Sequence, residues 1–321
     1  MKAALGYTAA VLAALLTIPA LAQETEPYRF ALMGDTPYTR FERTHLPAML
    51  AEMEAAGAAF ILHVGDIKAS SERCDDQVLE DRRQLFDGQP LPFVLTPGDN
   101  EWVDCSRPAA GRFDPEERLA WLRRHFYPAG HSLGRQTMTV ESQGDTAQFP
   151  EFRENLRWRR GPLLFATLHI TGSGNNRGRE ATPTPEFLRR EAANRAWLAE
   201  AFRQARDDAL PALVLALQAN PGLEDLAEGR PSAGYASFLR QLQDELARYP
   251  GEVVLVHGDT HAHRIDHPLR DPASGEPLAR FTRIETHGSP FMGWVLVKVQ
   301  PGSPRLLRFE SRTYAPPSPQ P

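Results

Sequence analysis

The 321-residue chain is defined first by what it lacks. It has no nucleotide-cradling glycine loop and no cysteine paired with a histidine, which argues against Rossmann and thiol chemistry. Its arginines are scattered rather than massed, so there is no electrostatic footprint for nucleic acid. No internal repeat or heptad is visible. The one long apolar run, Ala9 to Leu21, has roughly 13 residues against the ~20 needed to span a bilayer.

That run has a different meaning. Lys2 supplies a positive charge before it, and Ala20-Leu21-Ala22 follows as a small-x-small cleavage site, the three-part pattern of a secretory signal peptide over residues 1–22. The expectation is a periplasmic or secreted protein with no membrane attachment after cleavage. Removing Lys2 from the 36 basic residues leaves 35 against 41 acidic ones, a net charge near −6. In an oxidising compartment the only two cysteines, Cys74 and Cys105, are free to pair. Both follow strand-end acidic steps, Asp66 and Asp99, which puts their loops on one rim, so a single disulfide is expected.

Strands and helices alternate along the chain. Tyr28 to Met33 reads as a buried strand, and Phe41 to Ala56 as a helix with Leu46, Met49, Leu50 and Met53 on one face. Phe60 to Val64 and Leu91 to Thr96 are further strands around a helix at Val78 to Phe86, which implies a parallel sheet with right-handed crossovers. After a helix at Glu116 to Phe126, the stretch Tyr127 to Arg160 has no clean period. It reads as part of an insertion at about 103–161, with a hairpin through Gln136 to Glu141.

Pro162 to Ile170 resumes the strand pattern, Glu191 to Arg206 and Tyr235 to Tyr249 are amphipathic helices, and Ala212 to Leu217 is a strand between them. Three late strands, Phe281 to Thr286, Met292 to Val299 and Arg305 to Phe309, have short turns and no helices, so they are expected to pair antiparallel as a meander. The proline-rich end at 312–321 reads as a disordered tail, leaving 23–311 as one α/β domain.

The stretch Val254 to His263, V-L-V-H-G-D-T-H-A-H, is a strand that ends in glycine, an acid and three histidines. Asp35, Asp66 and Asp99 also stand directly after a glycine at the ends of predicted parallel strands, the edge where α/β sheets build sites. One such step is ordinary turn chemistry. Three of them, joined by Gly258-Asp259-Thr260-His261, put several carboxylates in one place, and a divalent cation relieves their repulsion.

These motifs resemble those of the calcineurin-like metallophosphoesterases. The corresponding stretches are Gly34-Asp35-Thr36-Pro37, Gly65-Asp66, Gly98-Asp99-Asn100-Glu101, Leu217-Gln218-Ala219-Asn220 and His257-Gly258-Asp259-Thr260-His261. The resemblance implies a layered β-sandwich of mixed sheets flanked by helices (α/β/β/α). It also implies two metal ions that activate a water against a small phosphorylated substrate. Carried over residue by residue, Asp66 would bridge the metals, Asp35 and His261 would serve the first, and Asp99, Asp259 and Gln218 the second, with Ala219 as the alternative to Gln218.

The departures from that pattern carry their own expectations. Pro37 replaces a histidine ligand, for which His257, His263 or Tyr38 would have to compensate. Asn100 replaces the histidine that aids the transition state. An amide donates a hydrogen bond but shuttles no proton near pH 7, so activity is expected to be low unless His169, on the site rim, stands in. Oxygen donors at positions 99, 218 and 259 favour Mn, Mg or Ca over Zn or Fe. A catalytically weak or inactive member that binds metal or a phosphorylated ligand is the alternative. Arg107, Arg112 and Arg177 in rim loops are candidates to grip phosphate, although a solvated arginine is the default reading for each. His63 and His287 read as a core and a turn histidine.

Overall fold

The computed structural model describes residues 26–271 and 274–316. The predicted signal peptide therefore lies outside the described residues, as does the end of the proline-rich tail. In chain order the main elements are β1 (Tyr28–Met33), α1 (Arg40–Ala55), β2 (Ile61–His63), α2 (Asp76–Asp87), β3 (Phe93–Leu95) and α3 (Pro115–His125). They continue with β4 (Glu141–Ser142), β5 (Leu156–Arg160), β6 (Leu163–Thr167), α4 (Pro185–Asp207), β7 (Ala212–Ala216), α5 (Leu223–Ala227) and α6 (Ala236–Arg248). The last strands are β8 (Glu252–His257), β9 (Arg264–Asp266), β10 (Phe281–Glu285), β11 (Gly293–Val299) and β12 (Leu307–Thr313).

The strands form two mixed sheets, β12-β11-β1-β2-β3 and β4-β5-β6-β7-β8-β10-β9. Side chains alternate across each strand, and the burial follows that period of two. Leu163, Phe165, Ala212, Val214, Val254 and Val256 join the core shared with the first sheet, whereas Leu164, Ala166, Leu213, Leu215, Val253 and Leu255 join a second core with α4 and α6. Between the sheets Phe30 and Phe60 meet the edge of the Phe165 ring at 5.2 and 5.3 Å, and Trp158 stacks on Phe165 at 4.9 Å. On the far side of the first sheet Phe86 of α2 stacks on Phe93 at 4.5 Å. The result is the expected four-layer arrangement of helices, two sheets and helices.

Local sequence explains the helix starts. Thr39 and Glu42 form a reciprocal capping box at α1, and Asp114 and Thr184 cap α3 and α4, each followed by proline at the first turn. The expected parallel pairing of β1, β2 and β3 is present. The late meander is present only in part, with β11 and β12 antiparallel as expected. β10 pairs parallel with β8 in the second sheet, and β11 crosses to lie antiparallel to β1 in the first. Short turns allow antiparallel neighbours without requiring them, and here the chain changes sheets between β10 and β11.

One boundary also shifts. β12 runs to Thr313 and Tyr314 is buried with the core, so the ordered chain passes the expected boundary at 311. The aperiodic stretch after α3 has no period because its pieces serve different sheets. Leu133 bridges to Phe93 at the edge of the first, His131 bridges to Thr139, and β4 and β5 extend the second. The disulfide is formed between Cys74 and Cys105, both fully buried. Among the described residues no helix is long and apolar enough to cross a membrane.

Candidate metal centre

The C-terminal ends of β1, β2, β3 and β8 meet at one rim, and each delivers an aspartate. Asp35, Asp66 and Asp99 come from the first sheet and are almost fully buried, while Asp259 and His261 come from the loop after β8 and are half-buried. The two sheets are joined here directly, since the Asp259 backbone N–H donates to Asp35 Oδ1 at 3.0 Å. Gly65 makes the approach of two loops possible. It has φ +97°, and a Cβ on it would stand 2.5 Å from the Gly98 nitrogen.

Backbone strain is concentrated at the same place. Asp35, Asp66, Asp259 and His261 all have left-handed φ, at 50°, 57°, 79° and 57°. Non-glycine residues adopt that region at a cost and mostly where surrounding structure enforces it. The sharp reversal turns each side chain back over its strand end, toward the others.

Burial and mutual repulsion raise the carboxyl pKa values. Asp66 is held well above the usual carboxylate range, first by burial and then by the charges of Asp99, Glu101 and Asp35. Asp99 is raised by burial, and Asp35 by burial despite relief from His261. Asp259 is pushed up to about 7 by burial and Asp99, and buried Glu101 to about 7. The cations acting on the group are Lys68, His261 and Arg107. Lys68 spends its ammonium on the Ala69 and Glu72 carbonyls, at 3.0 and 2.9 Å.

This chemistry fits a hard divalent cation. The donors are carboxylate oxygens with one imidazole, and buried Asp99 Oδ1 has no hydrogen-bond partner. A Cβ on Gly172 would lie 2.5 Å from Asp99 Oδ1 and 2.7 Å from Asp259 Oδ1, so both oxygens face the space that its missing side chain leaves. Asp35, Asp66, Asp99, Asp259 and His261 could hold such ions. Among the described residues, however, no three His, Cys, Asp or Glu side chains are closed around one point as they stand. Their oxygens are turned to protein donors instead, Asp66 Oδ2 to the Tyr38 hydroxyl at 2.8 Å and Asp99 Oδ2 to the Ser173 hydroxyl at 2.6 Å.

Tyr38, one of three neighbours weighed to compensate for Pro37, reaches the centre of the cluster. Its oxygen lies 2.8 Å from Asp66 Oδ2 and 3.5 Å from Asp35 Oδ1, and accepts a bond from Asn100 Nδ2 at 3.0 Å. Its ring meets His261 edge-on at 5.3 Å. The other two neighbours turn elsewhere. His257 is buried with Nδ1 on the Gly258 carbonyl, and His263 bonds the Glu285 carbonyl and stacks on His287.

Two expected site residues are placed against other partners. Gln218 was assigned to a metal, but its Oε1 accepts the Gly172 N–H at 2.5 Å and the Thr171 hydroxyl at 3.2 Å. What remains is an NH2 group, a donor that cannot coordinate a cation, so Gln218 holds the Gly172 turn. His169 was expected on the rim, yet it is fully buried, bonded through Nδ1 to Glu154 at 2.8 Å and set edge-on against Trp102. Burial pushes it down to about 4, so the contact with Glu154 is a hydrogen bond from a neutral ring rather than an ion pair.

Sequence reading missed Ser173 and Glu101. Glu101 Oε1 accepts from the Gly98 and Asp66 N–H groups at 2.6 and 3.3 Å and so ties the second and third motifs together. Its place directly after Asp99-Asn100 was visible. Ser173 sits in a turn-rich loop with no local signal of its partner.

No family model and no curated protein matches the chain. Among solved structures, that of PhoD is similar with a TM-score of 0.52 at 14% identity, covering 94% of this chain and 74% of that one. A dimetal phosphatase from Danio rerio (TM-score 0.48, 12% identity, 90% of this chain and 99% of that one) shares the outline. So does a purple acid phosphatase from yellow lupin, Lupinus luteus (0.48, 13%, 90% and 52%), of which this chain spans about half. The fold is that of the calcineurin-like metallophosphoesterases.

Proposed function

We propose that this chain is a metal-dependent phosphoesterase that hydrolyses phosphate mono- or diesters, exported to the periplasm or beyond by residues 1–22. The observation that carries the reading is the set of four aspartates, Asp35, Asp66, Asp99 and Asp259, gathered from two sheets at one rim, three of them on strained backbone. Such a group raises its own pKa values and is relieved by divalent charge. The buried disulfide supports an oxidising compartment.

In this reading Asp66 would serve both cations, Asp35 and His261 one of them, and Asp99 and Asp259 the other. Bound divalent cations supply a water that ionises near neutral pH and charge to neutralise phosphoryl oxygens. Oxygen-dominated donors favour Mn, Mg or Ca over Zn or Fe. Asn100 Nδ2, which donates to the Tyr38 hydroxyl at 3.0 Å, would be the amide donor to a phosphoryl oxygen. His261 is oriented by Nδ1–H donation to the Ser289 carbonyl at 2.7 Å, which turns Nε2 toward Asp35.

One observation favours a second reading, a binder of metal or phosphorylated ligand without turnover. The Tyr38 hydroxyl lies between Asp35 and Asp66, and Asn100 stands where a proton donor would serve. The test is hydrolysis of a panel of aryl phosphate mono- and diesters with Mn, Mg or Ca. Turnover that needs metal and is lost in Asp66→Asn supports the enzyme. Metal retained without turnover on any substrate supports the binder, and no metal retained at all sinks both.

A further inference from the structure

The left-handed turn after Thr171 and the disulfide-bearing loop meet over Asp99. Ser173, Gly174, Asn175 and Asn176 have φ of 50°, 64°, 57° and 51°, a run that L-residues adopt only at a cost. The turn is held from behind. Fully buried Arg190 donates to Asn175 Oδ1 at 2.5 Å and to the Asn175 carbonyl at 2.9 Å, and Asn175 Nδ2 donates to the Gly234 carbonyl at 3.0 Å. The turn places the Ser173 hydroxyl 2.6 Å from Asp99 Oδ2 and 3.0 Å from Asp104 Oδ1.

The second loop comes to the same hydroxyl. The 3-10 turn Val103–Ser106 contains Cys105, whose bond to Cys74 is fully buried, and Asp104, also buried. Arg107 follows with its N–H on the Asp104 carbonyl, and its Nη2 lies 2.7 Å from Asp104 Oδ1 and 3.4 Å from Ser173 Oγ. Both contacts use the same nitrogen, and the side chain is 51% exposed. The other rim arginines are placed differently. Arg177 donates to the Glu180 and Ala181 carbonyls of its own loop, and Arg112 is exposed.

We propose that Arg107 grips the phosphate of the substrate, held over Asp99 by Ser173, Asp104 and the Cys74–Cys105 cross-link. The proposal rests on the phosphoesterase reading for its ligand. A site of four aspartates repels a phosphate dianion, and a planar fork fixed in advance by a buried carboxylate offsets that repulsion without the entropy of ordering a free side chain.

The test is calorimetric titration of inorganic phosphate into the full-length Mn-loaded protein, its Arg107→Ala and Arg107→Lys variants, with metal content measured on the same samples. Arg107→Ala should weaken phosphate binding roughly ten- to a hundred-fold, the range of one charge-assisted bond. Arg107→Lys should recover only part of that, because lysine keeps the charge but not the fork. Unchanged affinity in Arg107→Ala, no phosphate binding by the parent protein, or loss of metal along with phosphate would each overturn it. Binding that depends on Arg107 in a protein without esterase turnover would leave this assignment standing and remove the hydrolase reading alone.

Discussion

A methyl group on Gly172 would enter the space between Asp99 and Asp259, at 2.5 Å from one carboxylate oxygen and 2.7 Å from the other. Ordinary contact begins at 3.4 Å, so Gly172→Ala requires retreats of 0.9 and 0.7 Å. The φ of Gly172 is outside the left-handed region, so alanine adds bulk there without backbone strain. Metal–ligand distances tolerate about 0.2 Å, several times less than these shifts. Affinity for Mn should therefore fall by at least the roughly 10–100-fold that loss of an outer-sphere contact costs. The fold should lose only the ~1–3 kcal/mol of an overpacked position. Metal affinity from equilibrium dialysis, set beside a urea midpoint on the same protein, separates the two effects. A folded Gly172→Ala protein that binds Mn as tightly as the parent would refute the idea that Asp99 and Asp259 share a cation.

Arg190→Met should be among the most destabilising single changes in the second core. It removes the partner of Glu186, a carboxylate 5% exposed and bonded to Arg190 Nε at 2.6 Å, and leaves that charge buried, a loss of roughly 3–5 kcal/mol. A urea midpoint equal to that of the parent would show that Asn176, which also bonds Glu186, suffices by itself. Acid sensitivity should trace in part to His169. Its folded pKa is down at about 4 against an ordinary 6.5, so the unfolded chain takes the proton first. The stability it contributes is complete above pH 6.5 and is lost as pH falls toward 4. Glu154, lowered to about 2 from 4.5, acts below that window, its contribution fading as pH drops through 2. In His169→Gln the protons taken up on unfolding between pH 6.5 and 4 should fall by about one, worth about 1.4 kcal/mol per pH unit of slope. An unchanged slope would show that His169 titrates alike in both states.

The sequence alone determined the strand-ending Gly-Asp steps, the parallel order of β1, β2 and β3, and the amphipathic helices α1, α4 and α6. Each rests on local pattern, because periodicity and caps are properties of neighbouring residues. It also carried the cysteine pair, since both residues follow strands whose ends share one rim. Tertiary structure alone decided which sheet the late strands join, because a strand of either sheet has the same alternation. It likewise decided what each polar atom touches. Gln218 and His169 have the right chemistry for a site, but one has its oxygen taken by Gly172 and the other is sealed against Trp102. Tyr38 and Ser173 reach the aspartates, and Arg107 reaches Ser173, because four strand ends and a strained turn converge there. Contacts across 28, 74 or 66 positions of chain depend on how the two sheets close on each other, and no local window contains that information.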